Sequence, residues 1–264
     1  MKALRIENVS KNFGGLQVLR YISIELEEGT RLAIIGPNGA GKTTLINVIS
    51  GVLKPSTGKI LLFGKDVTGI SPFLRSRQGL SRTFQILSLF PNLTVFESLL
   101  LSVMPLRSNQ LSLFRPIGTF KHLFDISQRL LEQVGLWEKR EMTVSNLSHG
   151  EQKLVEMAMS LSQSPKVLLL DEPMAGLSPG ETILISSAIR SLPSEVAVII
   201  VEHNVDAALE LAERVVVLNQ GMILAEGSPE AVRREPKVQE VYLGTEESWK
   251  SWTDFRKRRN ERTP

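Results

Sequence analysis

Two short stretches carry residue types that do phosphate chemistry. "GPNGAGKTT", residues 36–44, fits the pattern G-x-x-x-x-G-K-[ST] at Gly36, Gly41, Lys42 and Thr43. It follows the apolar run "RLAII" and opens a helical pattern, the strand–loop–helix setting in which this motif cradles phosphates. Its glycines let the backbone curl so that N–H groups point inward. Lys42 brings a positive charge to the β- and γ-phosphates, and the Thr43 hydroxyl can join a Mg²⁺ shell. The second stretch, "VLLLDEP" at 167–173, puts Asp171 at the end of a buried strand, where a carboxylate can hold Mg²⁺ through water. Glu172 comes next, takes a different direction and can face an attacking water.

A third stretch raises a question. "VSNLSHGEQKLVEM", residues 144–157, reads as a helix start. Ser148 is a capping residue, Glu151 sits three positions on, and Leu154, Ala158 and Leu161 follow at helical spacing. Such an N-terminus, with Gly150 baring the backbone, is a second place to bind an anion. It lies about a hundred residues after the first.

These segments must be held by a larger frame. Strand-like "ALRIENV", "YISIELE" and "TRLAIIG" come first, then helical "GKTTLINVISGVL" and strand-like "GKILLFG". From about Asn92 to Ser162 the pattern turns largely helical, in "TVFESLLLSVM", "FKHLFDISQRLLEQVGL" and the Ser148 helix, with "PLRSNQLSLFRPIG" as a less ordered link. Strand "KVLLLD", helix "GETILISSAIRSL", strand "EVAVIIVE", helix "NVDAALELAE" and strand "RVVVLN" follow. Strands alternating with helices predict an α/β fold with a mainly parallel sheet, interrupted by a helical insertion. There is no internal repeat.

Composition narrows the class. The 264 residues are 42% hydrophobic and 22% charged, ordinary values for a globular chain of one large or two modest domains. Without cysteine there is no disulfide framework, and three scattered histidines, His122, His149 and His203, argue against structural zinc. The N-terminus lacks the apolar core of a signal peptide, and no stretch reaches the ~18 apolar residues of a membrane span. The expectation is a soluble, cytosolic chain. Its net charge of +3 resides in the tail: Lys250–Pro264 holds six Lys/Arg and two Asp/Glu, leaving 25 against 26 elsewhere. That tail reads as a solvated end, with anionic lipid headgroups or a membrane partner as the sharper alternative. No aromatic-rich platform supports nucleic-acid binding, and none is expected.

In one order and spacing, "GPNGAGKTT", Gln85 after "SRTF", "LSHGEQ", "VLLLDEP" and "VEH" resemble the nucleotide-binding subunit of ATP-binding cassette (ABC) transporters, from about Leu4 to Gly244. The resemblance implies a P-loop NTPase fold of the ABC nucleotide-binding type: a mainly parallel sheet core, N-terminal antiparallel strands and an inserted α-helical subdomain. It would occupy residues 1–244, with the insertion at about 90–162 and a basic tail at 245–264. It implies ATP and Mg²⁺ as cofactors. The stretch Gly36, Pro37, Asn38, Gly39, Ala40, Gly41, Lys42, Thr43 and Thr44 would hold the nucleotide, with Phe13 stacked on adenine and Val18 nearby. Thr43, Gln85 and Asp171 would serve the metal. Glu172 would polarise the water, with His203 and Gln85 holding the reacting groups in line. In this family two subunits pair head to tail. Ser148, Gly150 and Glu151 would then meet ATP held by the partner, which answers why there are two anion sites. Two departures stand out: "LSHGEQ" has His149 and Glu151 where the usual signature "LSGGQ" has glycine and glutamine, and "MAGLS" puts Ser178 where an aspartate is usual.

Within the family, "FGGLQVL", "LSHGEQKLVEMAM", "DEPMAGLSP", "VEHNVD" and "LAEGSPEAVRREPKVQEVYLG" resemble the ATPases of branched-chain (hydrophobic) amino acid importers. Urea and short-chain amide importers are closely similar. A lipopolysaccharide-export type and a non-transport ABC ATPase are further alternatives. Import implies a paralogous ATPase or a homodimer, two transmembrane permeases, an extracytoplasmic solute-binding protein, and a peripheral place on the cytoplasmic face of the membrane. "ILSLFPNLTVFE" would receive a permease helix, with Phe90 and Leu93 as apolar anchors.

Overall fold

The computed structural model describes residues 1–83, 89–104 and 121–243. Two sheets form its frame. The first is antiparallel, in the order β2 (Leu16–Glu27), β1 (Lys2–Phe13), β4 (Thr57–Leu62), β5 (Lys65–Asp66). The second has six strands, in the order β10 (Met222–Gly227), β9 (Arg214–Asn219), β3 (Arg31–Ile35), β8 (Ala197–Val201), β7 (Val167–Asp171), β6 (Leu80–Arg82). All of its neighbours are parallel except β9 and β10. Every residue of β7 and β8 is buried, because elements cover both faces of these strands. That is why they read as unbroken apolar runs rather than alternating ones.

Helix α1 (Lys42–Ser50) lies between the sheets, where Leu45, Ile46 and Ile49 join one core with β1, β2 and β4. Its C-terminus meets a fully buried cation. Arg75, from the short α2 (Pro72–Ser76), donates from Nη1 to the carbonyls of Val48 and Ile49 at 2.9 and 2.5 Å. Its Nε and Nη2 reach the Ile70 and Thr68 carbonyls at 3.1 Å each. A guanidinium there satisfies the last carbonyls and opposes the negative end of the helix. Burial lowers its pKa to about 10, still well above neutrality.

Between β6 and β7 come α3 (Val95–Val103), α4 (Lys121–Gln133) and α5 (His149–Leu161). Thr94 and Glu97 form a capping box that starts α3. Trp137 packs edge to face on Phe96 and Phe124, whose own rings are tilted against each other, beside it. The helices share a second core with α6 (Pro179–Arg190). A third core joins α7 (Val205–Leu211), β9, α8 (Pro229–Arg234) and α9 (Pro236–Leu243). Several elements differ from the sequence reading. The first helix stops at Ser50 rather than running through Leu53, and β6, β10, α8 and α9 had no periodic signal. β6 has only three residues, and β10 is half exposed without a clean alternation. No helix among the described residues is long and apolar enough to cross a membrane.

Candidate active site

The phosphate loop runs from the end of β3 into α1. At Gly41 the backbone has φ 104°, and a β-carbon there would stand 2.9 Å from Leu19 Cδ2 and 3.1 Å from the Val18 carbonyl oxygen. Only glycine fits both the left-handed turn and this close approach of β2. The turn after β9 braces the loop from another side, with the Gly221 amide donating to the Ala40 carbonyl at 3.0 Å. Val18 thus lies against the loop. Gly41 offers no side-chain cap, and the first turn of α1 has no acidic residue, so the helix meets the loop with bare amides. Lys42 is buried and donates to the carbonyls of Gly36 and Pro37 at 2.6 and 3.0 Å. Burial lowers its pKa, and the carboxylates of Glu172 and Glu202 oppose the shift. The ammonium sits inside its own loop, ready to exchange carbonyls for phosphate oxygens. Thr43 is exposed and Thr44 half-buried. Phe13 stands at the end of β1 with its ring 47% exposed and the Lys11 ammonium 5.1 Å from its centre.

Asp171 ends β7. Its Oδ2 accepts from Arg82 Nη2 at 2.7 Å, whereas Oδ1 is buried with no hydrogen-bond partner. Burial raises its pKa, and Arg82 acts against that. An orphaned, anionic oxygen at a strand end suits a hard cation. Glu172 follows with φ 50°, a left-handed backbone that costs a non-glycine residue on the order of 1 kcal/mol. This turn swings its carboxylate away from the strand, and Oε1 lies 2.5 Å from His203 Nε2. One hydrogen must lie between the two atoms, and with Glu172 as a carboxylate the imidazole Nε2 is the donor. A carboxylate oriented by an imidazole can take a proton from water.

The Ser148 helix start folds as its residues dictate. Ser148 Oγ accepts from the Glu151 amide, and Glu151 Oε2 accepts from the Ser148 amide at 3.0 Å. Glu151 also pairs with Lys139. Another carboxylate completes the arrangement. Glu181, from the first turn of α6, accepts at Oε1 from Ser148 Oγ at 2.9 Å and from the Gly150 amide at 2.8 Å. Its Oε2 accepts from the Ser178 amide and hydroxyl at 3.0 and 2.8 Å. A β-carbon at position 150 would stand 2.7 Å from Glu181 Cγ, so the close approach itself requires glycine. These bonds, the Ser178 amide foremost, hold the Glu181 pKa down to about 2. Ser178 is thus an N-cap for α6.

The sequence-predicted residues therefore fall into two groups. One comprises Gly36 to Thr44 with Asp171, Glu172 and His203. The other is Ser148, Gly150 and Glu151; the Ser148 hydroxyl and Gly150 amide donate to Glu181, and Glu151 closes the capping box with Ser148. Gln85, and the tail from 244 on, lie outside the described residues. Arg75, Arg82, Lys153, Glu181 and Glu202 escaped the sequence reading. Only Glu181 left a local trace, the S-x-x-E spacing from Ser178 that marks a capping box.

Comparison with known proteins bears on this geometry. Residues 19–175 match the family model described as ABC transporter, and residues 222–248 match that described as branched-chain amino acid ATP-binding cassette transporter. The chain is 35% identical over 248 residues to the high-affinity branched-chain amino acid transport ATP-binding protein BraF of Pseudomonas aeruginosa, covering 91% of this chain and 97% of that protein. It is 36% identical over 253 residues to the probable branched-chain amino acid transport ATP-binding protein LivG of Archaeoglobus fulgidus, covering 94% and 98%. Among solved structures, the ADP conformation of an ATP-binding cassette of an ABC transporter superposes with TM-score 0.82 at 35% identity, over 93% of this chain and all of that one. Matched by the family model over residues 19–175 and by relatives and solved structures over nine-tenths of its length, the chain belongs to the ABC transporter family, as an ATP-binding cassette that hydrolyses ATP to drive transport.

Proposed function

We propose that this chain powers the import of branched-chain amino acids from the cytoplasmic face of the membrane, paired with a second ATPase subunit and seated on two permeases. The observation that carries the substrate class is the second family match, at residues 222–248, which falls on β10, α8 and α9 outside the general cassette match. The similarity to BraF and LivG over nine-tenths of the chain supports the same reading.

In this reading the bare amides of the phosphate loop and the Lys42 ammonium bind the phosphates of ATP. Lys42 leaves the Gly36 and Pro37 carbonyls to do so. Mg²⁺, when bound, would neutralise charge on the β- and γ-phosphates, with Asp171 Oδ1 and the Thr43 hydroxyl as its protein-side groups. Glu172 takes a proton from the attacking water while His203 keeps its carboxylate oriented, and the products are ADP and phosphate. Ser148 and Gly150 donate to the γ-phosphate of ATP bound by the opposite subunit. For this they must exchange the Glu181 carboxylate for the phosphate. Gln85 and Phe13 are assigned the metal-and-water and adenine contacts.

The test is a pull-down of the tagged chain from solubilised native membranes, joined to uptake assays in cells lacking the chain. Recovery of two permeases and a second ATPase is expected, with leucine uptake restored by the wild-type chain and not by Glu172→Gln. Urea uptake restored instead would replace the substrate class. Recovery of no membrane protein would overturn transport.

A further inference from the structure

The turn that aims Glu172 is gripped from both sides by two charges, half-buried Lys153 and buried Glu202, with no role in the chemistry above. Lys153, on α5 five residues after the Ser148 cap, donates from Nζ to the Glu172 carbonyl at 2.9 Å and to the Ala175 carbonyl at 3.1 Å. Glu202, at the end of β8 and only 2% exposed, accepts from the Met174 amide at 2.7 Å and from the His203 amide at 3.1 Å. The turn closes on itself through the Ala175 amide and the Glu172 carbonyl at 3.1 Å. An ammonium thus holds both ends of residues 172–175, and a carboxylate holds the middle. The two charges make no direct contact with each other, but each attracts the other across the turn. Burial lowers the pKa of Lys153 and raises that of Glu202, so each charge is held there against a desolvation cost. Apolar residues there would leave the Glu172 and Ala175 carbonyls and the Met174 and His203 amides without these partners, so the two charges are kept for the backbone groups they hold.

We propose that Lys153 and Glu202 are positioning residues for ATP hydrolysis: they fix the left-handed turn at Glu172 and tie it to the helix whose start faces the opposite subunit's nucleotide. The proposal rests on the assignment of Glu172 as the group that activates water. Lys153 lies little more than one turn from Ser148 and Gly150 along a rigid helix. A shift of α5 on nucleotide-driven closure therefore pulls directly on the Glu172 carbonyl. Glu202 couples the same turn to His203, so the carboxylate and its imidazole partner move as one unit. Occupation of one site of the pair is thereby reported to the base of the other.

The test uses the purified transporter with each variant in this chain, measuring maximal turnover and half-saturating ATP. Lys153→Met and Glu202→Gln are expected to lower turnover at least tenfold while half-saturating ATP moves less than threefold. Lys153→Arg, which keeps donors for two carbonyls, is expected to recover much of the loss. In a Glu172→Gln background, Lys153→Met is expected to leave ATP-dependent closure unchanged, because the carboxylate that the turn aims is already gone and Lys153 positions only that group. If Lys153→Met and Glu202→Gln keep full turnover, or if Lys153→Met weakens closure in that background as a general packing defect does, the positioning role is wrong. Full turnover in Glu172→Gln alone would instead remove the underlying assignment. Thermal midpoints of each variant separate loss of fold from loss of positioning, and the Arg variant keeps the test decisive where Met unfolds the chain.

Discussion

The two helix starts that can bind an anion, α1 and α5, are built in opposite ways. α1 begins after a glycine, without a side-chain cap or an acidic residue in its first turn. The cation that accompanies it, Lys42, rests on the loop's own carbonyls. α5 begins at a capping box, and Glu181 takes the Ser148 hydroxyl and the Gly150 amide as well. A helix N-terminus attracts negative charge in either case. The difference is that, among the described residues, no carboxylate accepts a hydrogen bond from the amides that start α1, whereas those of α5 already hold one. In the proposed function, the chain's own nucleotide thus meets amides that no described carboxylate occupies. In the proposed pairing, a phosphate from an opposite subunit must displace Glu181. The contrast separates binding, which one chain can do, from closure, which requires exchange at a satisfied site.

The largest effect belongs to Lys42. Exchange of its carbonyl contacts for phosphate replaces neutral acceptors with charged ones, each charge-assisted bond being worth about 1.5–3 kcal/mol. Lys42→Met is expected to weaken ATP binding by the isolated chain about a hundredfold, read by fluorescent-nucleotide titration. Ser148→Ala is the matched measurement at the other helix. It is expected to leave isolated-chain affinity within twofold of wild type, but to raise the ATP concentration needed for closure of the assembled transporter by about tenfold, the weight of one bond to a charged group. A Ser148→Ala chain that loses nucleotide affinity alone would erase the distinction between the two sites.

What could be read from the sequence follows the same division. The phosphate loop, the buried strands and the Ser148–Glu151 cap depend on residues within a few positions of each other, so their spacing states the structure. The contacts that set their behaviour do not. Glu181 is 33 residues from Ser148, Arg75 is 26 from the Ile49 carbonyl it caps, and Arg82 is 89 from Asp171. No periodicity links such pairs, because strand order and crossover connections bring them together. Lys153 shows the limit most clearly. On a helical wheel it is one more polar residue of an amphipathic helix, and only the placement of β7 beside α5 turns its ammonium onto the Glu172 carbonyl. Ser178 and Glu202 are similar cases: a departure from a motif proves to be a helix cap, and the residue beside a noted histidine proves to hold that histidine's backbone.

A smaller effect tests the displacement directly. Glutamine serves a capping box as glutamate does, so Glu181→Gln keeps the start of α6 while removing the negative charge at α5. Its neutral amide oxygen competes less well for the Ser148 and Gly150 donors. Half-saturating ATP for closure is expected to fall severalfold, with isolated-chain affinity unchanged. A rise instead of a fall would mean that Glu181 holds Ser148 ready for phosphate rather than standing in its place.

The smallest effect is a pH dependence of stability, and it checks the contact without any nucleotide. Glu181 has its pKa held down to about 2 in the folded chain, against an ordinary value of 4.5. A carboxyl whose folded value is depressed adds stability above its unfolded value and loses it as pH falls through the folded one. The thermal midpoint of the wild-type chain should therefore exceed that of Glu181→Gln by a constant margin above about pH 5. The margin should close between pH 4.5 and about 2, where the carboxylate protonates. Glu181 is solvent-accessible, so the margin is modest and shrinks with added salt. The two Glu181 measurements constrain each other. If closure becomes easier in Glu181→Gln while the margin stays flat with pH, the charge acts by repelling the incoming phosphate at a distance. If both change together, the carboxylate occupies the donors of Ser148 and Gly150, and its removal from them is a step in closing the site.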